Sequence, residues 1–182
     1  GQLSLEEVDQ IDLDEFSIIH FGSATGFLPG PLQDAYRGLL QKALQKDIFI
    51  SFDPNYRHLL FKKNTQTFID QSWNFLDCCH FFFVFDEEAM LITGTANLSD
   101  AVSVLLKKTD AVFAITLGKD GTMLGFGNST IIIPSFEIKP VDTTGAGDAF
   151  VGAVLYQVGN KTPGQIKEMP VAQWQSIVVN AN

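Results

Sequence analysis

A chain of 182 residues is long enough to close one sizeable hydrophobic core. Hydrophobic residues make up 46% and charged residues 18%, a globular balance that excludes a disordered chain. The net charge of −9 points away from nucleic acid and anionic membrane as partners, so an anionic ligand needs local N–H groups and a metal to approach.

In chain order, residues 1–16 read as an acidic helix or loop with Leu5, Val8, Ile11 and Leu13 turned inward. Residues 17–22 read as a buried strand ended by Gly22 and Ser23. A helix is predicted from Pro31, with Leu32, Tyr36, Leu39, Leu40 and Ala43 at helical spacing. Residues 48–52 form the next strand, stopped by Asp53-Pro54. Residues 65–76 are predicted helical, with Phe68, Ile69, Trp73 and Leu76 on one face. A third strand, 81–85, precedes a short helix from Asp86 and a second helix over 98–107. A fourth strand, 111–117, is closed by Gly118. Residues 123–126 and 130–134 read as a hairpin around Gly127-Asn128. A helix opened by a glycine-rich turn follows, then a final helix from Val171.

Strands that are solidly apolar and alternate with helices predict a parallel sheet covered on both faces, in a single domain over residues 1–182. Right-handed crossovers place the carboxyl ends of the parallel strands on one edge, where ligands bind in such sheets. Polar residues directly after strands are therefore the site candidates. The longest apolar run, Cys78 to Phe85, is too short to span a bilayer and is interrupted by His80. No secretory signal opens the sequence. Cys78 and Cys79 are adjacent without metal spacing and read as buried free thiols, so a cytoplasmic location is expected.

The most informative stretch is Asp142-Thr143-Thr144-Gly145-Ala146-Gly147-Asp148-Ala149-Phe150, preceded by Val141 and followed by the apolar segment 151–156. Gly145 and Gly147 allow a tight turn with φ > 0 and leave no side chain to block a ligand. The turn delivers backbone N–H groups at a helix N-terminus, where free donors and the helix dipole favour an anion. Asp148, in the first helical turn, faces the same volume. An anion cradle beside a carboxylate suits phosphoryl transfer: the amides stabilise the moving phosphoryl charge and the carboxylate accepts the proton of the attacking hydroxyl. A lone Gly-x-Gly-Asp is as readily a plain helix cap.

These nine residues closely resemble the C-terminal signature of the ribokinase-like (PfkB) family of carbohydrate kinases. The resemblance implies a three-layer α/β/α core with a mostly parallel sheet. It also implies that Asp148 is the catalytic base and that the Gly145, Ala146 and Gly147 backbone is the anion hole. Four further stretches are similar to family elements. Asp53-Pro54-Asn55-Tyr56-Arg57 resembles an Asp-Pro-Asn-x-Arg element, in which Arg57 reaches a phosphoryl oxygen or the substrate and Asn55 orients the ligand or a metal-bound water; the plain reading is a turn. Glu88, in Asp86-Glu87-Glu88-Ala89, takes the place of a family Glu that holds Mg²⁺ through water, although Phe85 stands where the family has Asn or a small polar residue; acids that open a helix also serve simply as dipole partners. The segment from Thr116 through Gly118 to Gly121 resembles the turn that lines the nucleotide site, where Gly118 and Gly121 let ATP approach the backbone; Asn182 is assigned to the same site. Asp142 is similar to a residue of a monovalent-cation (K⁺) site, with an Asx turn as the competing reading.

Other chemistries lack their motifs: there is no Gly-x-x-x-x-Gly-Lys-Ser/Thr loop, no complete dinucleotide fingerprint and no Gly-x-Ser-x-Gly elbow. His20, His58 and His80 are isolated and read as ordinary core or surface residues. The resemblance runs from about Leu13 onward and covers only the middle and later parts of the family pattern. The chain is therefore expected to be a core truncated at both ends, without the N-terminal part and lid. Uncovered sheet of that kind favours aggregation or pairing with another chain, a homodimer included. The expected activity is ATP- and Mg²⁺-dependent phosphorylation of a sugar hydroxyl, with fructose first and 2-keto-3-deoxygluconate next. A nucleoside kinase of the same family and a non-catalytic sugar or nucleotide sensor on the same fold are the alternatives.

Overall fold

The computed structural model describes residues 2–137 and 142–182; Gly1 and Val141 lie outside them. In chain order the elements are α1 (Leu5–Asp9), β1 (Ile18–Gly22), α2 (Pro31–Gln45), β2 (Phe49–Asp53), α3 (His58–Phe61), α4 (Thr65–Leu76) and β3 (Phe81–Phe85). They continue with α5 (Asp86–Thr93), α6 (Leu98–Lys108), β4 (Val112–Thr116), a 3₁₀ turn (Gly118–Asp120), β5 (Thr122–Phe126), β6 (Ser129–Ile133), α7 (Ala146–Val158), α8 (Pro163–Lys167) and α9 (Val171–Ala181). The strands form one six-stranded sheet in sequence order, parallel from β1 to β4 and antiparallel from β4 to β6.

Because neighbouring parallel strands follow one another in sequence, every crossover returns on the same side. Helices α2, α4, α5 and α6 therefore cover one face, packing Leu40, Phe68, Phe75, Ile92 and Leu105 onto the inward residues of β1 to β4. The second face is closed only after the hairpin, by α7, α8 and α9, through Val151, Val154, Ile166 and Trp174. The central strands carry large apolar residues at consecutive positions because both faces are covered. The stacked pair Phe82–Phe113 at 5.2 Å serves the first face, and Phe81–Trp174 at 5.7 Å the second.

The outer strand β1 is less buried than its apolar sequence suggested. Phe21 is buried beneath the first helical layer, while His20 on the opposite side is exposed. In the opening segment Val8 and Leu13 enter the core, but Leu5 and Ile11 stay largely open. The reason is that the five-residue α1 lies on α2, where Leu5 occupies the space left by the missing side chain of Gly38. Among the described residues no single helix is long and apolar enough to cross a membrane.

Candidate active site

Period-two alternation aims the polar residues of β1 and β2 at the face that α7 covers. His20 pairs with Ser51 and Gly22 with Asp53 across the two strands. Ser51 is fully buried and its hydroxyl lies 3.0 Å from His20 Nδ1. Desolvation lowers the His20 pKa and the charge of Asp148 opposes that shift, so Asp148 lies within electrostatic reach. The link to α7 is therefore electrostatic, through residues that read as isolated in the sequence.

Asp53 ends β2 at 6% exposure. Burial first, then the charges of Glu88 and Asp148, push its pKa up to about 7, against a hydrogen bond from the Asn55 N–H and the charge of Arg57. That N–H reaches Asp53 Oδ1 at 2.9 Å, and Asn55 adopts φ +46° to close the turn. The turn is tied to β1 by the Ser23 N–H, which donates to the Asp53 carbonyl at 3.0 Å, and by the Ser23 hydroxyl, which donates to the Pro54 carbonyl. Arg57 lies exposed just before α3. Its charge acts on both Asp53 and Glu88.

Glu88 is 7% exposed, and its carboxylate joins two loops. Oε1 accepts the Tyr56 N–H at 2.6 Å and Oε2 accepts the Phe85 N–H at 3.0 Å. Burial raises the Glu88 pKa while these two donors and Arg57 hold it down. Its place at the start of α5 thus has a structural use of its own, fastening the Asp53–Arg57 turn to the end of β3.

Helix α7 starts at Ala146 behind Gly145, which has φ +80° and no side-chain cap. A helix start without a side-chain cap leaves N–H groups of its first turn open to an anion. The two glycines differ in what they do. Gly145 faces open space and supplies the positive φ, whereas Gly147 is already inside the helix, and a Cβ there would stand 3.2 Å from the Phe83 ring and 3.5 Å from Phe85. A glycine at 147 thus lets the helix rest closely on the sheet. Asp148 is exposed at the open end, within electrostatic reach of His20 and Asp53. Just before the turn, Asp142 Oδ1 accepts the Thr144 N–H at 2.8 Å, and hydrogen bonding to Thr144 lowers its pKa. This is the Asx-turn geometry weighed against a cation site.

Residues 2–165 match the family model described as pfkB family carbohydrate kinase. The chain belongs to that family. It is 29% identical over 169 residues to Fructokinase-1 of Zea mays, covering 91% of this chain and 51% of that protein. It is 30% identical over 145 residues to Fructokinase-1 of Oryza sativa subsp. japonica, covering 78% and 44%. In fold it matches fructokinase from Vibrio cholerae O395, solved with fructose, ADP and calcium ion, at TM-score 0.83 and 23% identity, over 100% of this chain and 56% of that one. Aminoimidazole riboside kinase from Salmonella enterica, solved with aminoimidazole riboside and an ATP analog, matches at TM-score 0.84 and 23% identity, over 100% and 58%. The chain spans about half the length of the curated relatives it matches. The six-stranded core is the ribokinase-like fold.

Of the four residues expected at a nucleotide site, two, Gly121 and Asn182, are used by the fold itself. Gly118 has φ +60° and open space beside it, as close approach to the backbone requires. Gly121 does not: a Cβ there would stand 2.1 Å from the Ile133 carbonyl oxygen, so its glycine is explained by the passing end of β6. Asn182 Nδ2 donates to the Ile133 carbonyl at 3.2 Å and its Oδ1 accepts the Thr122 hydroxyl at 2.5 Å, pinning α9 to the hairpin. Thr116 ends β4 with a buried hydroxyl that lacks a hydrogen-bond partner within the protein. For the metal, no three His, Cys, Asp or Glu side chains among the described residues converge to hold an ion directly. Asp53, Glu88 and Asp148 nevertheless share one electrostatic neighbourhood. That donor set fits a hydrated cation held through water rather than by direct ligation.

The alternation that collects His20, Ser51 and Asp53 on one face was present in the sequence, as polar residues two apart within otherwise apolar strands.

Proposed function

We propose that this chain carries the phosphoryl-transfer site of an ATP-dependent sugar kinase that phosphorylates a sugar hydroxyl. One observation carries the reading: α7 starts without a side-chain cap, and the charge of Asp148 in its first turn acts on His20 of β1 and Asp53 at the end of β2. The Gly145, Ala146 and Gly147 amides stabilise charge on the transferring phosphoryl group, and Asp148 takes the proton of the attacking hydroxyl. Arg57 and Asn55, on the turn that Glu88 fastens, face the substrate and phosphate side. ATP lies toward Thr116 and Gly118, where the unmet Thr116 hydroxyl accepts a nucleotide group or a bridging water.

Glu88 and its neighbouring carboxylates would hold magnesium through water, and the metal would supply charge neutralisation for the nucleotide phosphates. Asp142 accepts the Thr144 N–H in the Asx-turn arrangement, so we assign it the turn and leave K⁺ without a part in the proposal. Fructose is the substrate we favour, supported by the fructokinase names of the relatives; 2-keto-3-deoxygluconate is the next to test. Two free thiols fit a reducing compartment, and we place the enzyme in the cytoplasm.

The test is a coupled ADP assay of the full-length protein across hexoses, keto-acids and nucleosides, beside calorimetric titration of the same compounds. Sugar-dependent ADP release supports the kinase. Sugar binding with no ADP formed replaces it with a sensor on the same fold.

A further inference from the structure

We infer that Phe85 is a positioning residue: its ring, seated against Phe83 and beneath Gly147, sets the height of the first turn of α7 and with it the placement of Asp148. The inference rests on the role proposed above for that turn.

A helix start is ordinarily fixed by a side-chain cap. Helix α7 has none, since Gly145 occupies the cap position. Its first turn keeps the backbone bonds from the Ala146 N–H to Thr143 O at 3.1 Å and from the Ala149 N–H to Gly145 O at 2.9 Å. Neither bond ties the turn to the sheet. What it rests on is aromatic. The site left open at Gly147 lies 3.2 Å from the Phe83 ring and 3.5 Å from Phe85 Cζ. Phe85 meets Phe83 edge-on at 5.4 Å and 71°, and Phe83 meets Phe150 of α7 at 5.3 Å.

The three rings therefore run from the end of β3 to the second turn of α7. Their lower end is held firmly, because the Phe85 N–H donates to the buried Glu88 carboxylate. Phe85 itself is 45% exposed, an unfavourable place for a phenyl ring at a polar edge. Contact with the ring below and the helix above gives that exposure a use. A shorter side chain leaves the first turn resting on Phe83 alone. A leucine keeps most of the contact, whereas an asparagine keeps the polarity of the edge and loses the ring.

The test uses the full-length protein and its Phe85→Ala, Phe85→Asn and Phe85→Leu variants. Amide hydrogen exchange is read at Ala149 and Phe150, with amides of α9 as the internal reference. We expect exchange at the start of α7 to rise by about tenfold or more in the alanine and asparagine variants while α9 is unchanged, and to stay within about threefold in the leucine variant. ADP release on the same samples falls in the first two variants with KM for ATP little changed. Unchanged exchange at Ala149 in Phe85→Ala overturns the inference. Acceleration spread equally over α7 and α9 also overturns it, because the ring then supports general stability alone. A wild-type chain that neither binds ATP nor forms ADP counts against the proposed function instead, and the exchange data still decide whether Phe85 seats the helix.

Discussion

Asp53 sits at the end of a buried strand with two other carboxylates near it, and burial is the main reason its pKa stands at about 7 rather than 3.8. The sign of the linked stability follows. Between those values the folded chain holds a proton that the unfolded chain has released, so stability falls as pH rises from about 4 to 7. The span sets an upper bound of about 4 kcal/mol on the penalty above pH 7. Asp53→Asn keeps the neutral form and its carbonyl still accepts the Asn55 N–H. In chelated buffer the variant is expected to melt higher than wild type at pH 8, with the difference shrinking toward pH 5. A constant difference across that range, followed by thermal denaturation, counts against a shifted Asp53. The Gly-Ala-Gly-Asp run was legible in the sequence because its chemistry is contiguous. His20, Ser51 and Asp53 were harder to read because they come from two strands and meet only through register.

The start of α7 separates two glycines that look equivalent in the sequence. Gly145→Ala forces an alanine to φ +80° in open space, at a cost of about 1–2 kcal/mol. Gly147→Ala instead presses a methyl group 3.2 Å from the buried Phe83 ring, and overpacking of that kind costs about 1–3 kcal/mol. The second change also lifts the helix, so it should lower ADP release by more than its loss of stability explains. Denaturant titration and initial rates on the same samples check this; full activity in Gly147→Ala would place the amides away from the transferring group. Long elements were legible because helical spacing and solid apolar runs carry far: α4, β3 and the hairpin fall within a residue of their predicted bounds. The helices α3 and α8, of 4 and 5 residues, went unseen because one turn shows no period. The role of Gly121 was also hidden, since the strand end that crowds it lies 12 to 14 residues further along the chain.

At the scale of the whole molecule, single-direction winding gathers the carboxyl ends of β1, β2 and β3 at one edge, and the late helices α7 and α9 return to close the second face. That closure brings residues more than a hundred positions apart, His20 and Asp148, into one site. The strand-and-helix alternation announced the layers; the packing of α7 on β3, through Phe83 and Phe150, was not legible from periodicity. Substrate positioning supplies roughly 7–11 kcal/mol of a well-organised barrier, and this chain spans about half of its relatives. The 182 residues alone are therefore expected to release ADP slowly and without dependence on sugar. Sugar-dependent turnover near about 10 s⁻¹ would show that they suffice. Exhaustive chelation should abolish ADP release by the full-length protein, and readdition of magnesium should restore it; unchanged turnover would remove the metal from the proposal.

The most direct test of the central claim is sugar-dependent ADP release by the full-length protein, wild type against Asp148→Asn, with ATP affinity measured in parallel. A positioned general base contributes about 10²–10⁴-fold, so kcat is predicted to fall by that factor while ATP binds as before. A variant that retains activity within about threefold of wild type would contradict the assignment of Asp148 as the base.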